Sequence, residues 1–126
     1  MKYFYDTEFL ESGPNVPLYL LSIGIVDENG RELYLQNLDC PLHLASPWVI
    51  ENVFSGLEHL KQHGGGAYFA DDNQRVWQHR QAIVNQITEF VNRGFETPEF
   101  WGYYADYDHV LFCQLFGTMM DLPEGW

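Results

Sequence analysis

The sequence predicts an α/β protein built on a mixed sheet, and three observations predict it. The chain opens on a strand, Lys2-Tyr3-Phe4-Tyr5-Asp6-Thr7-Glu8-Phe9. A strongly apolar run from Leu18 to Val26 then leads into Asn29-Gly30, a strong short-range hairpin signal, and returns through Leu33-Tyr34-Leu35. Further on, a helical apolar stripe over 75–93 is followed by another strand-like run from Pro98 to Tyr104. The expected architecture is an antiparallel three-strand meander followed by helices and a further strand. With 126 residues, one domain spanning 1–126 accounts for it.

The first strand carries the chemistry. Alternation places Phe4, Asp6 and Glu8 on one face and Tyr3, Tyr5, Thr7 and Phe9 on the other. Two carboxylates at i and i+2 lie about 7 Å apart along a strand, within reach of divalent cations between them. They are costly to bury without counter-charge. The plainer alternative is an edge strand whose acids face water.

The remaining elements follow from caps and periodicity. Glu11 to Asn15 is a turn cluster. Pro47 suits the first turn of a short helix that Ser46 caps and that runs to about Phe54. Residues 56–72 read as a long loop containing Gly64-Gly65-Gly66. Without the lysine and Ser/Thr of a P-loop, that run reads as a flap or plain loop rather than a phosphate cradle. Asp72 or Asn73 is the expected cap of a helix from Arg75 to Arg93, with Val76, Trp77, Ile83, Val84, Ile87, Phe90 and Val91 on its apolar face and Gly94 as its stop. His79 and Arg80 read as solvated residues of its first turns. Pro98 to Tyr104 reads as a buried strand, with Tyr103 and Tyr104 in the core. A last helix is expected from Tyr107 to Met119.

Composition narrows the class. Nine Phe, eight Tyr, four Trp and 46% hydrophobic residues describe a globular chain. No apolar run is long enough to span a bilayer, and the N-terminus lacks a signal-peptide pattern. Two cysteines, Cys40 and Cys113, make neither a disulfide framework nor a zinc site, so a reducing, cytoplasmic setting is expected. A net charge of −12 argues against binding nucleic acid mainly through lysine and arginine. It leaves room for an enzyme that meets phosphates through metal ions held by carboxylates.

The last helix supplies a third acid. Asp108, Leu111, Phe112 and Leu115 share one face, so a carboxylate heads the apolar stripe. Asp106 is the expected N-cap, which leaves Asp108 needing another role. If the fourth strand lies beside the first, Asp108 joins Asp6 and Glu8. Three carboxylates without matching cations call for hard divalent ions.

These residues carry a resemblance. Asp6-Thr7-Glu8, Ser22-Ile23-Gly24-Ile25 and Ala105-Asp106-Tyr107-Asp108-His109-Val110 resemble the DEDD superfamily of 3′–5′ exonucleases, which have an RNase H-like fold. The strings at 5–9 and 107–117 are most similar to its RNase AS group of exoribonucleases. The resemblance implies that Asp6, Glu8 and Asp108 are catalytic acids binding two Mg²⁺ or Mn²⁺ ions, and that the substrate is an RNA or other single-stranded 3′ end. It implies further that Thr7, Phe9 and Leu10 contact the terminal nucleotide by backbone and stacking, although Phe9 also reads as a core aromatic. Relatives are often homodimers.

The pattern departs in one place. The superfamily uses a fourth acid, preceded in this branch by a general-base histidine about five residues earlier on a C-terminal helix. After Asp108 the only acids are Asp121 and Glu124 and the only histidine is His109. The expectation is therefore a chain lacking the family's C-terminal segment. The rival expectation is a catalytically inactive nuclease-fold interaction module.

Overall fold

A computed structural model describes residues 1–62, 68–70 and 75–126. Its strands are β1 (Lys2–Leu10), β2 (Tyr19–Asp27), β3 (Glu32–Asn37), β4 (Leu60–Gln62), β5 (Tyr68–Ala70), β6 (Trp77–Gln78) and β7 (Glu99–Trp101). Its α-helices are α1 (Pro47–Asn52), α2 (Arg80–Asn92) and α3 (Asp106–Phe116). Five strands form a mixed sheet in the order β6-β3-β2-β1-β7, and β4 pairs with β5 separately. The meander is antiparallel throughout, while β7 joins β1 and β6 joins β3 in parallel.

The β2–β3 connection shows how the local sequence closes. The Gly30 N–H donates to the Asp27 carbonyl at 2.9 Å and the Asp27 N–H to the Arg31 carbonyl at 3.0 Å. Glu28, Asn29 and Gly30 thus form a three-residue loop, with Gly30 at φ +85° taking its left-handed position. The Asp27 carboxylate accepts the N–H groups of Asn29 and Arg31, both at 2.9 Å, and the Arg31 Nε at 2.5 Å. Burial raises the Asp27 pKa, but the donors from Arg31 and Asn29 outweigh it and hold the carboxyl below its ordinary value.

One face of the sheet is covered by α2 and α3. Tyr3, Tyr5, Ile23, Ile25 and Leu35 meet Ile83, Ile87 and Val91 of α2 and Leu111, Phe112 and Leu115 of α3. Tyr3 donates its hydroxyl to the Val91 carbonyl at 2.9 Å, and Trp126 folds back on Phe100, Phe112 and Phe116. The opposite, outer face is covered at one end by a second cluster: Leu10, Leu21, Cys40, Val49, Phe54 and Trp77. A β-bulge connects the two clusters. The register passes from Glu8↔Ser22 to Phe9↔Leu20, so Leu21 is the extra residue. Leu20 then belongs to the inner core and Leu21 to the outer cluster.

Several expectations need correction. The second helix begins at Arg80 rather than Arg75. Trp77 and Gln78 instead pair with Gln36 and Asn37, and the Trp77 indole donates to the Glu58 carbonyl at 2.9 Å. The apolar stripe fits a helix through Trp77, but the β3 edge takes these residues first: Gln36 N–H bonds the Val76 carbonyl at 2.6 Å. The Asp39 carboxylate accepts the Arg80 N–H and meets His79 Nδ1, both at 2.8 Å, tying down the helix start from 41 residues away in sequence. The expected 56–72 loop contains the β4–β5 pair. Gly64-Gly65-Gly66 and the cap at Asp72 or Asn73 lie outside the described residues.

The Pro98–Tyr104 run is not a buried strand. Only Glu99–Trp101 is extended, at the sheet edge, and Tyr103 and Tyr104 are each 86% exposed rather than in the core. Aromatic content signalled burial, but an edge position leaves these rings outside. Asp106 is the first residue of α3, not its cap, and Ala105 occupies the cap position without a side-chain bond. The helix stops at Phe116 because Gly117 turns the chain at φ +132°. The expected end at Met119 falls in a separate short turn.

The expected cap at Ser46 holds, its hydroxyl accepting the Val49 N–H at 3.3 Å. Among the described residues no helix is long and apolar enough to cross a membrane.

Candidate active site

The site is built around β1. Alternation puts Asp6 and Glu8 on the outer face and Thr7 on the inner one, with Thr7 only 6% exposed. The outer face near the acids contains two cavities. One, of about 300 Å³, is lined by Asp6, Glu8, Ser22, Tyr34 and Asn52. The other, of about 620 Å³, starts at Asp6 and runs over Phe4, Val26, Leu33 and Trp101.

Asp108 approaches from the inner layer. Its helix packs Leu111 and Phe112 under β1, which leaves the first turn of α3 beside the strand's edge. β7 pairs with β1 only through Lys2–Phe4, so the β1 edge is open beyond it. The Thr7 N–H there donates to Asp108 Oδ1 at 3.0 Å, and the Thr7 hydroxyl donates to the same oxygen. Asp108 is 7% exposed, and no buried side-chain polar atom lacks a partner among the described residues.

The electrostatics follow from this placement. Asp6 is raised above its ordinary pKa by burial and then by the charge of Asp108, with the Thr7 N–H pulling the other way. Glu8 is raised by burial, then by Asp6 and by Asp108. Tyr5, beneath them, is pushed up to about 12 by burial, then by Asp108 and Cys113. The three carboxylates therefore lie within mutual electrostatic reach. Asp27–Arg31, Asp39–His79, Glu89–Arg93 and the N-terminus form ion pairs away from these three acids.

As donors these groups fit hard divalent cations: all are carboxylate oxygens, and their mutual repulsion is relieved by positive charge. Among the described residues, however, no group of three or more His, Cys, Asp or Glu side chains is arranged as a ready-made metal cage.

The other expected site residues are placed as follows. Phe9 is partly buried, edge-on to Tyr107 at 5.6 Å, and Leu10 lies in the outer cluster at 1% exposure. His109 meets the Tyr5 hydroxyl through Nδ1 at 3.1 Å and Cys113 Sγ through Nε2 at 3.7 Å. Asp121 is occupied by Thr118, whose N–H and hydroxyl it accepts at 2.8 and 3.0 Å. Sequence reasoning misses the bond from Thr7 to Asp108. A signal for it exists, since a hydroxyl on the core-facing side of a strand needs a partner.

The fold is mixed α/β, with Asp6 and Glu8 on β1 and Asp108 bonded to the residue between them. No protein-family model matches the chain. In each of two strains of Mycobacterium tuberculosis, a protein named 3′–5′ exoribonuclease is similar to it, at 36% identity over 124 residues covering 98% of this chain. The chain spans 66% of the length of these curated relatives.

Proposed function

We propose that the protein is a metal-dependent 3′–5′ exoribonuclease of the DEDD type on an RNase H-like fold, and that Asp6, Glu8 and Asp108 are its metal-binding acids. One observation supports this reading: Asp108 is bonded to Thr7, the residue between Asp6 and Glu8, in a chain 36% identical to proteins named 3′–5′ exoribonuclease. The sheet supports the fold, since an antiparallel meander with a parallel strand added beside its first member suits an RNase H-like order.

In this reading Asp6 and Glu8 offer oxygens from the outer face, and Asp108 offers the oxygen that Thr7 does not hold. Two bound Mg²⁺ or Mn²⁺ ions would supply positive charge against the scissile phosphate and activate the attacking water at neutral pH. The cavity of about 300 Å³ beside Glu8 receives the terminal nucleotide, with Tyr34 and Asn52 as polar groups on its wall. The net charge of −12 is then no obstacle, because phosphate is met through cations and not through basic side chains.

The test is nucleotide release from a single-stranded RNA labelled at its 5′ end, with and without Mn²⁺, in wild type and Asp6→Ala. Stepwise shortening from the 3′ end that needs Mn²⁺ and disappears in the variant is expected, at a low rate, since His109 is the only histidine after Asp108 and is engaged by Tyr5 and Cys113. Internal cleavage, or shortening unaffected by Asp6→Ala, would overturn the assignment. Neither hydrolysis nor Mn²⁺ binding in the wild type would favour the nuclease-fold interaction module.

A further inference from the structure

We propose that Thr7, between the two acids of β1, is a positioning residue that fixes the Asp108 carboxylate for cation binding. The inference rests on the proposed metal-dependent function. Two independent donors of one residue, its backbone N–H and its hydroxyl, converge on the single oxygen Oδ1 of Asp108. A carboxylate held at one oxygen by two donors loses rotation about its terminal torsion. The other oxygen is then left with a fixed direction from the strand edge.

Geometry makes Thr7 suited to this. Asp6 and Glu8 face outward, so neither can reach back through the sheet to orient an acid arriving from the inner layer. The residue between them faces inward, and at this point of the strand its N–H points into the open edge beyond β7. Both partners are almost fully buried, so water does not compete for the bond. Valine could fill the same space but supplies no hydroxyl. Serine supplies the hydroxyl without the methyl.

Second-layer hydrogen bonds to metal ligands are worth about 10–100-fold in metal affinity. The experiment is Mn²⁺ titration by calorimetry on wild type, Thr7→Val and Thr7→Ser, each held well below its own thermal transition. Thr7→Val is expected to bind Mn²⁺ at least about tenfold more weakly, and Thr7→Ser to stay within about threefold of wild type. That rescue separates positioning from packing, since serine loses the packed methyl and keeps only the hydroxyl.

Equal affinity in wild type and Thr7→Val overturns the positioning role and leaves the exonuclease reading intact. Absence of Mn²⁺ binding in the wild type overturns both. Should Thr7→Val not fold, Thr7→Ala takes its place, with the same loss expected. A serine variant with wild-type thermal stability and the tenfold loss also overturns the proposal, because the hydroxyl would then not be the operative group.

Discussion

Replacing Asp108 separates its two roles, as an acceptor and as a charge. Asp108→Ala removes the acceptor of two buried donors, the Thr7 N–H and the Thr7 hydroxyl. An unpaired buried donor costs about 1–3 kcal/mol. The hydroxyl can rotate toward another acceptor, but the N–H is fixed by the strand. A loss of about 2–4 kcal/mol follows, which for a domain of this size is roughly 8–15 °C in Tm. Asp108→Asn keeps an oxygen at the Oδ1 position. It gives up the charge-assisted part of the bonds, about half their strength, and also removes the repulsion that raises Asp6 and Glu8. These effects oppose each other, so the asparagine variant should melt within about 4 °C of wild type. Differential scanning calorimetry in the absence of divalent ions measures both. If the alanine variant melts as high as the asparagine one, Thr7 is not held by Asp108 in solution and the description of the β1 edge is wrong.

Two further predictions concern the frame that holds the site. At Gly94 an added Cβ would fall on the Tyr3 hydroxyl and lie 3.2 Å from the Val91 carbonyl, so Gly94→Ala should cost about 1–3 kcal/mol by disturbing the Tyr3–Val91 bond. Urea denaturation in a double-mutant cycle with Tyr3→Phe checks it: the alanine penalty should fall markedly when the hydroxyl is gone, and an equal penalty in both backgrounds would mean that the clash is not with Tyr3. For Asp27, a carboxyl held below its ordinary pKa stabilises the fold above its unfolded value near 3.9, and that contribution is lost as pH falls through the folded value. Asp27→Asn should therefore cost about 1–2 kcal/mol at pH 7, with the Arg31 contribution discounted for its partial exposure. The Tm gap between Asp27→Asn and wild type should begin to narrow as pH falls below about 4 and close below the lowered folded value, and a gap independent of pH would contradict the assignment.

Local signals made the meander legible. Alternation along β1, the apolar β2 and Asn29-Gly30 are short-range features, and the structure keeps all three. The inward stripe of Asp108, Leu111, Phe112 and Leu115 was legible for the same reason. What the sequence hid depends on partners distant in the chain. Val76 and Trp77 continue a helical stripe, and only the free β3 edge makes them a strand. Asp39 caps α2 from 41 residues away, and nothing near Arg80 announces it. Tyr103 and Tyr104 look like core residues by type, but their burial is decided by the position of β7 at the edge of the sheet.

The place where β7 ends is what lets Asp108, carried by the inner layer, bond the strand that bears Asp6 and Glu8. Neighbouring residues of a strand point to opposite faces, so an acid on the inner helix and acids on the outer face are normally separated by the sheet itself. An edge is the exception, because backbone N–H groups there point sideways. Were β7 to continue past Trp101 alongside β1, it would compete for the open edge at Thr7, and Asp108 would lose that donor. Gly102 permits the turn that ends the strand. A Cβ there would overlap the Ala105 Cβ and lie 3.7 Å from the Tyr5 carbonyl, so the chain turns tightly against β1 at this point and enters α3 within four residues. The short, exposed strand that looked like a failed core element is short for a reason: its early end opens the edge at which Thr7 takes hold of Asp108.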